Sequence, residues 1–353
     1  MKKYGGIIRL TTVSVLSVAI LIYSAYSCLF MDINNNVFTE LQLPASVEKA
    51  EDNITSSQSL DNTEENKVTE NNKDESKAEN NQSVQTSTGS KVKGSIIEKH
   101  ISPYSAGLSY NNVYVKNSTG LKVDIKNLLN SNLKFKITKN SKPQVLILHT
   151  HTTESFMTED RDYYTDSDQS RRLDEKLNMV NLGNIVAKKL NDAGIKTLHD
   201  KTKHDYPSYS GSYSRAAKTI NDYLKKYPTI KIVIDMHRDA ISSNNDKTKV
   251  TANIKGKKAA QVMLVMGSQS GSVTNFPNWK DNLKLAFKFQ QTLEVMYPSL
   301  ARPLSLTSNN YNESLTKGSM LLEMGTDANT IDEVEYSAEL VGNALVSLLN
   351  TLK

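Results

Sequence analysis

The sequence predicts an α/β domain, a mostly parallel sheet with helices on both faces, behind an N-terminal transmembrane helix and a disordered polar linker. Three observations lead there. Short continuous apolar runs at Val145–Leu148 and Ile230–Ile234 have the pattern of strands covered on both faces. Segments with apolar residues three and four apart alternate with those runs, as helices do in α/β folds. Charge also divides the chain of 353 residues, net +5, into three parts. Residues 1–30 carry +3 and residues 31–90 carry −8, which leaves +10 on residues 91–353.

The first part reads as an anchor. Leu10 to Met31 is a run of 22 residues without a charge. As a helix it spans roughly 33 Å, enough for a hydrocarbon core of ~30 Å. Lys2, Lys3 and Arg9 precede it, and Asp32 and Glu40 follow. The positive-inside rule then predicts a single pass through the cell membrane, with the N-terminus cytosolic and the rest of the chain outside. A cleaved signal peptide is the alternative, because Ala25-Tyr26-Ser27 offers small residues at a suitable separation. A cleavable apolar core is usually only ~7–15 residues long, which favours retention of residues 1–31 as cytosolic stub and anchor.

Residues 32–95 read as linker. Residues 39–103 contain no aromatic residue, and Glu48 to Ser90 is mostly Asn, Ser, Thr, Gln, Glu and Lys. Such a composition buries too little apolar surface to offset chain entropy. A flexible tether of ~60 residues has a root-mean-square span of roughly 40 Å. Residues 96–142 form a lead-in element, with strands expected at Val113–Val115 and Phe135–Ile137.

Residues 143–353 read as the catalytic α/β domain. After the Val145–Leu148 strand comes a helix over Glu175–Ala193, stopped by Gly194. A short strand follows at Ile195–Leu198, then a helix from Ser212 to Tyr227, ended by Pro228, and a strand at Ile230–Asp235. Val250–Ile254 and Gln261–Met266 suggest a strand pair around Gly256. A helix begins at Trp279 and ends at Pro298. A last strand at Met320–Glu323 precedes a closing helix through Val334, Ala338, Val341, Leu345, Leu348 and Leu352.

In open α/β sheets ligands bind beyond the carboxyl ends of the strands. Three such ends are chemically rich: His149-Thr-His151-Thr-Thr-Glu154, Asp235-Met-His237-Arg238-Asp239 and Glu323-Met-Gly325-Thr326. His151 and Glu154 lie one helical turn apart, so both can face one point. Two His and one carboxylate are a common catalytic zinc set. His151, Glu154 and His237 are therefore the expected Zn²⁺ ligands, with His149 the alternative to His151, and Glu323 is the expected general base toward water and acid toward the leaving amine. His149, Arg238, Asp239 and Glu175 are candidates for the surrounding shell or substrate contact. Glu175 is also the rival carboxylate ligand, although a carboxylate at a helix start has a plainer reason to be there, the positive end of the dipole. His204-Asp205-Tyr206-Pro207 could line a cleft.

The motifs His149–Phe156, Asp235–Ala240 and Leu321–Asn329, in this order behind an anchor and a polar tether, resemble the stage II sporulation protein P family of endospore-forming bacteria. The resemblance covers roughly residues 110–350. That family is similar to the zinc N-acetylmuramoyl-L-alanine amidases of cell walls. The resemblance implies a zinc-amidase-like fold and hydrolysis of the amide between the glycan's lactyl group and the stem peptide, with peptide cross-links as further targets. It also implies work during forespore engulfment beside stage II sporulation proteins D and M. Two rivals stand beside this reading: a zinc peptidase acting only on stem peptides, and a wall-binding scaffold without catalysis.

Composition narrows the alternatives. One Cys excludes a disulfide scaffold and a Cys-rich zinc site. A +10 domain facing outward is attracted to anionic wall polymers and peptide carboxylates. Nucleic acid is disfavoured by the exported topology.

Overall fold

The structure, a computed structural model, describes residues 90–352. The expected anchor at Leu10–Met31 and the linker up to residue 89 lie outside the described residues. Among the described residues no helix is long and apolar enough to cross a membrane.

The elements run β1 (Val92–Lys99), β2 (Leu108–Tyr110), β3 (Val113–Asn117), α1 (Ile125–Asn130), β4 (Val145–Leu148), β5 (Tyr163–Thr165), α2 (Met179–Asp192), β6 (Thr197–His199) and α3 (Ser212–Lys226). Then follow β7 (Ile232–Asp239), β8 (Ser242–Ser243), β9 (Asp246–Ile254), β10 (Lys257–Ala260), β11 (Val262–Met266), α4 (Trp279–Met296), β12 (Leu304–Leu306), β13 (Ser319–Thr326) and α5 (Ile331–Asn350).

The larger sheet has eight strands in the order β2-β3-β12-β11-β13-β7-β4-β6. The sheet is mixed, which corrects the expectation of a mostly parallel one. β6, β4, β7 and β13 run parallel, but β11 is antiparallel to β13 and β2 is antiparallel to β3. A second sheet, β10-β9-β1-β5 with β8 on β9, is mixed as well. Strand alternation decides which side chains meet which layer. Val145 and Ile147 of β4, with Ile232, Ile234 and Met236 of β7, join the main core, to which α2, α4 and α5 contribute. Leu146, Leu148 and Val233 point the other way, onto Ala216 and Ile220 of α3.

Several boundaries move for local reasons. α2 begins at Met179 rather than Glu175, because the Asn178 side chain accepts from Val180 N and caps the first turn. Gly256, after Lys255, makes the expected turn, both residues with positive φ, but the partner of β9 is Lys257–Ala260. The Val262–Met266 strand instead joins the larger sheet beside β13. Phe135–Ile137 is not a strand; Ile137 N donates to Leu352 O at the end of the chain. β1 starts at Val92, inside the stretch expected as linker, and β3 is built into the larger sheet. At α5, Thr330 and Glu333 form a reciprocal capping box.

Candidate active site

The alternation that sends Ile234 and Met236 into the core turns Asp235 and His237 to the opposite face of β7. On β13, Met320, Leu322 and Met324 are in the core and Glu323 faces the other way. The parallel register pairs Glu323 directly with His237. Two strand ends thus deliver an imidazole and two carboxylates to one face of the sheet edge.

The turn after β4 closes over them. Thr150 donates to Asp235 through its backbone N, at 2.8 Å, and its hydroxyl, at 2.6 Å. His151 then lies edge-on to His237, ring centroids 5.2 Å apart. Glu154 Oε2 is 3.7 Å from His237 Nδ1 and accepts from Arg238 N at 3.2 Å. The other carboxylate oxygen, Oε1, is 3.7 Å from Arg171 Nη2. Arg171 is itself held by Asp205 at 2.6 Å, and Asp205 also accepts from the Thr153 backbone N and hydroxyl. Tyr209 and Tyr213, from the segment leading into α3 and its first turn, complete the wall. The Tyr209 ring stacks on His151 with centroids 4.6 Å apart, and Tyr213 meets His151 edge-on at 5.6 Å.

Electrostatics follow from burial and crowding. Asp235 is held down to about 2: burial opposes its charge, but His237 and the two Thr150 hydrogen bonds prevail. His237 is pushed up to about 10 against the effect of burial by Asp235, Glu154 and Glu323. His151 falls to about 2 through burial, His237 and Arg171. Glu323 rises to about 8, mainly through burial and the nearby Asp239 carboxylate, with His237 and Arg302 opposing. Burial, then Asp235, raises the Tyr213 phenol well above its ordinary value.

The four principal candidates, His151, Glu154, His237 and Glu323, therefore meet at one sheet edge. The others do not line it. His149 points away: its Nδ1 donates to Met236 O at 2.9 Å, so its Nε2 accepts from His199 Nε2, also at 2.9 Å. Arg238 acts through its backbone on Glu154, while its guanidinium donates to Ser155 O and Ser170 O. Asp239 pairs with Arg302 at 2.9 Å. Glu175 sits before α2, half-buried, paired with Lys203 at 3.3 Å. Sequence reasoning did not single out Asp235, Arg171, Tyr209 or Tyr213. Asp235 was within reach, standing two residues before His237 on a strand. The two tyrosines and Arg171 come from irregular or distant segments with no period to mark them.

Two imidazoles and a carboxylate are donor types that zinc sites use. Each imidazole keeps a buried ring nitrogen without an aligned hydrogen bond, Nδ1 of His151 and Nε2 of His237, although Asp235 Oδ1 lies only 2.9 Å from the latter. Asp235 and Glu154 place carboxylates around them, and Glu323 adds a carboxyl whose pKa is pushed up to about 8. The donors thus fit a divalent cation in kind and in charge. As they stand, no three His, Cys, Asp or Glu side chains among the described residues are gathered closely enough to form a ligand group.

The profile of the Stage II sporulation protein P (SpoIIP) family matches residues 24–346, and the chain belongs to this family. Stage II sporulation protein P of Bacillus subtilis (strain 168) is 31% identical over 214 residues. That stretch is 58% of this chain and spans half the length of the curated relative. Among solved structures, the N-acetylmuramyl-L-alanine amidase Ami1 from Mycobacterium abscessus is similar over 60% of this chain and 99% of its own, at 13% identity and a TM-score of 0.34. The CwlD amidase from Clostridioides difficile in complex with the GerS lipoprotein is similar over 59% of this chain and 99% of its own, at 11% identity and a TM-score of 0.37.

Proposed function

We propose that this chain is a membrane-tethered zinc hydrolase of peptidoglycan that cuts the N-acetylmuramoyl-L-alanine amide during sporulation engulfment, with peptide cross-links as further targets. The observation that carries the reading is the pairing of Glu323 with His237 across β13 and β7, on the edge where His151 and Glu154 also converge. A binding scaffold has no use for a carboxylate with an enclosed, unpaired oxygen there. Membership of a sporulation protein family supplies the biological setting.

His151, Glu154 and His237 would hold Zn²⁺, which supplies Lewis-acid polarisation of the scissile carbonyl. The positive charge would favour ionised Glu323, whose pKa is otherwise pushed up to about 8. The Glu323 carboxylate then takes one proton from the attacking water and returns it to the leaving amide nitrogen. Arg171 and the Arg238 backbone N–H hold the two oxygens of Glu154, and Thr150 holds Asp235 beside His237, so the ligands are oriented by their neighbours. Leu10–Met31 would hold the domain outside the cell membrane, and stage II sporulation proteins D and M would be its partners at the wall.

Mass spectrometry of purified peptidoglycan digested by the purified chain tests the activity. Release of intact stem peptides is the expected result. Shortened peptides alone would replace the amidase by a peptidase, and an unchanged wall would leave a scaffold.

A further inference from the structure

Hydrolysis of an amide creates a negative oxygen at the former carbonyl, and a site that accelerates it needs a donor aimed where that charge develops. The cleft is rich in acceptors: Asp235, Glu154 and Glu323 all face it. Arg171 is held by Asp205 and the Arg238 guanidinium by the Ser155 and Ser170 carbonyls, and Arg302 pairs with Asp239 through Nη1 while its Nε and Nη2 are enclosed without a partner among the described residues. Tyr209 Oη is hydrogen-bonded to His151 Nε2 at 3.2 Å. Tyr311 Oη accepts from Asn309 Nδ2 at 2.9 Å and, more weakly, from the Thr307 hydroxyl at 3.4 Å, so its oxygen is fixed beside those residues although its own O–H is not donated.

Tyr213 differs. Its ring sits among His151, His237 and Tyr311, with centroids 5.6, 6.4 and 6.2 Å away. It lies nearly parallel to the His237 ring, at 18°. Among the described residues no hydrogen bond is made by its hydroxyl, although the residue is only half-buried and the cleft is polar. Its position is also enforced. Asn312 Nδ2 donates to Tyr213 O at 2.9 Å, and Tyr311 and Asn312 both adopt positive φ, 49° and 58°. A tyrosine in that left-handed region is uncommon and persists only where the surroundings impose it. If Tyr213 served only to pack, phenylalanine would fill the same space without a polar atom to satisfy.

We infer that Tyr213 is a catalytic residue whose hydroxyl donates a hydrogen bond to the oxyanion formed on the scissile amide. This rests on the hydrolase reading above. Water oxygen adds to the carbonyl carbon, one water proton passes to Glu323, and the carbonyl π pair moves onto oxygen, where the Tyr213 O–H meets it without giving up its proton. The pair returns to re-form the carbonyl, the C–N bond breaks, and the proton on Glu323 goes to the leaving nitrogen. The second water proton stays on the new carboxyl group, which ionises into solvent.

The test compares wild type, Tyr213→Phe and Tyr311→Phe in the full-length chain. Removing one oxyanion donor typically lowers kcat by ~10²–10³-fold. Tyr213→Phe should show that loss with KM within about twofold, unchanged zinc content and unchanged thermal midpoint, while Tyr311→Phe loses far less. A phosphinate isostere of the scissile amide, read by calorimetry and so independent of turnover, should bind Tyr213→Phe about as much more weakly as kcat falls. Activity within threefold of wild type, or equal phosphinate affinity, overturns the inference. So does loss of zinc or of fold in Tyr213→Phe, which would make the hydroxyl structural. A wild-type chain that releases no peptide from the wall would instead overturn the hydrolase reading itself.

Discussion

Glu323 and His237 stand side by side on neighbouring parallel strands, the imidazole buried and the carboxylate half-buried with its Oε2 enclosed. One oxygen of Glu323, Oε2, has no hydrogen-bond partner. A buried, unsatisfied carboxylate costs stability, so it persists only where something compensates. The nearby charges of His237 and Arg302 offset part of that cost.

Replacing Glu323 with Gln keeps its shape and removes its capacity to take a proton. Turnover should fall ~10²–10⁴-fold, with zinc content retained and thermal stability unchanged or raised. Steady-state release of stem peptides, paired with metal analysis, measures both. A variant within a few-fold of wild type would remove Glu323 from the mechanism, and loss of zinc would recast it as a ligand.

The two candidate carboxylates occupy different places. Glu154 is fixed beside His237, whereas Glu175 is paired with Lys203 outside the cleft. Glu154→Ala should lose most bound zinc and Glu175→Ala should keep it, as elemental analysis of the two purified proteins would show. The reverse pattern would transfer the ligand role to Glu175.

Much of this site was legible because strand ends and strand alternation are local properties. The runs before His149, Asp235 and Glu323 marked three strand ends, and the fold brings all three to one edge. What stayed hidden depends on tertiary context. The strand order that sets β11 antiparallel beside β13 is decided by packing, not by the Val262–Met266 run itself. α2 starts four residues late because Asn178 outcompetes Glu175 as a cap. Arg171, Asp205 and Tyr209 lie in irregular segments, where spacing predicts nothing about contact. His149 looked as chemically apt as His151, and only the course of the turn sends it under α2 toward His199.

That burial has its own consequence. Gly183 of α2 packs against the His149–His199 pair, and a Cβ there would clash with His199 and stand 2.8 Å from His149 Nε2. Overpacking of this kind costs ~1–3 kcal/mol. Gly183→Ala should lower the thermal midpoint measured by circular dichroism by several degrees. An unchanged midpoint would show that the histidine pair yields freely.

Acid should destabilise the domain in part through carboxylates remote from the cleft. Burial opposes the charge of Asp168, but Thr165 and Arg161 hold its pKa below the ordinary 3.8. Lys134 and Lys284 do the same for Asp281 against its burial. A lowered folded-state pKa contributes stability that is present above the unfolded value and is lost as pH falls through the folded one. The thermal midpoint should therefore drop below about pH 4, and Asp168→Asn combined with Asp281→Asn should flatten that drop. An equally steep fall in the double variant would place the acid sensitivity elsewhere.

The most direct measurement is the position of the cut itself. Peptidoglycan digested by the purified chain in oxygen-18 water takes up one labelled oxygen at each bond hydrolysed. Fragmentation of the products should locate label in the lactyl carboxylate of the muramoyl residue in wild-type digests, with little in digests by Glu323→Gln. Label confined to stem-peptide carboxyl groups, or an unlabelled wall, would contradict cleavage of the muramoyl-alanine amide.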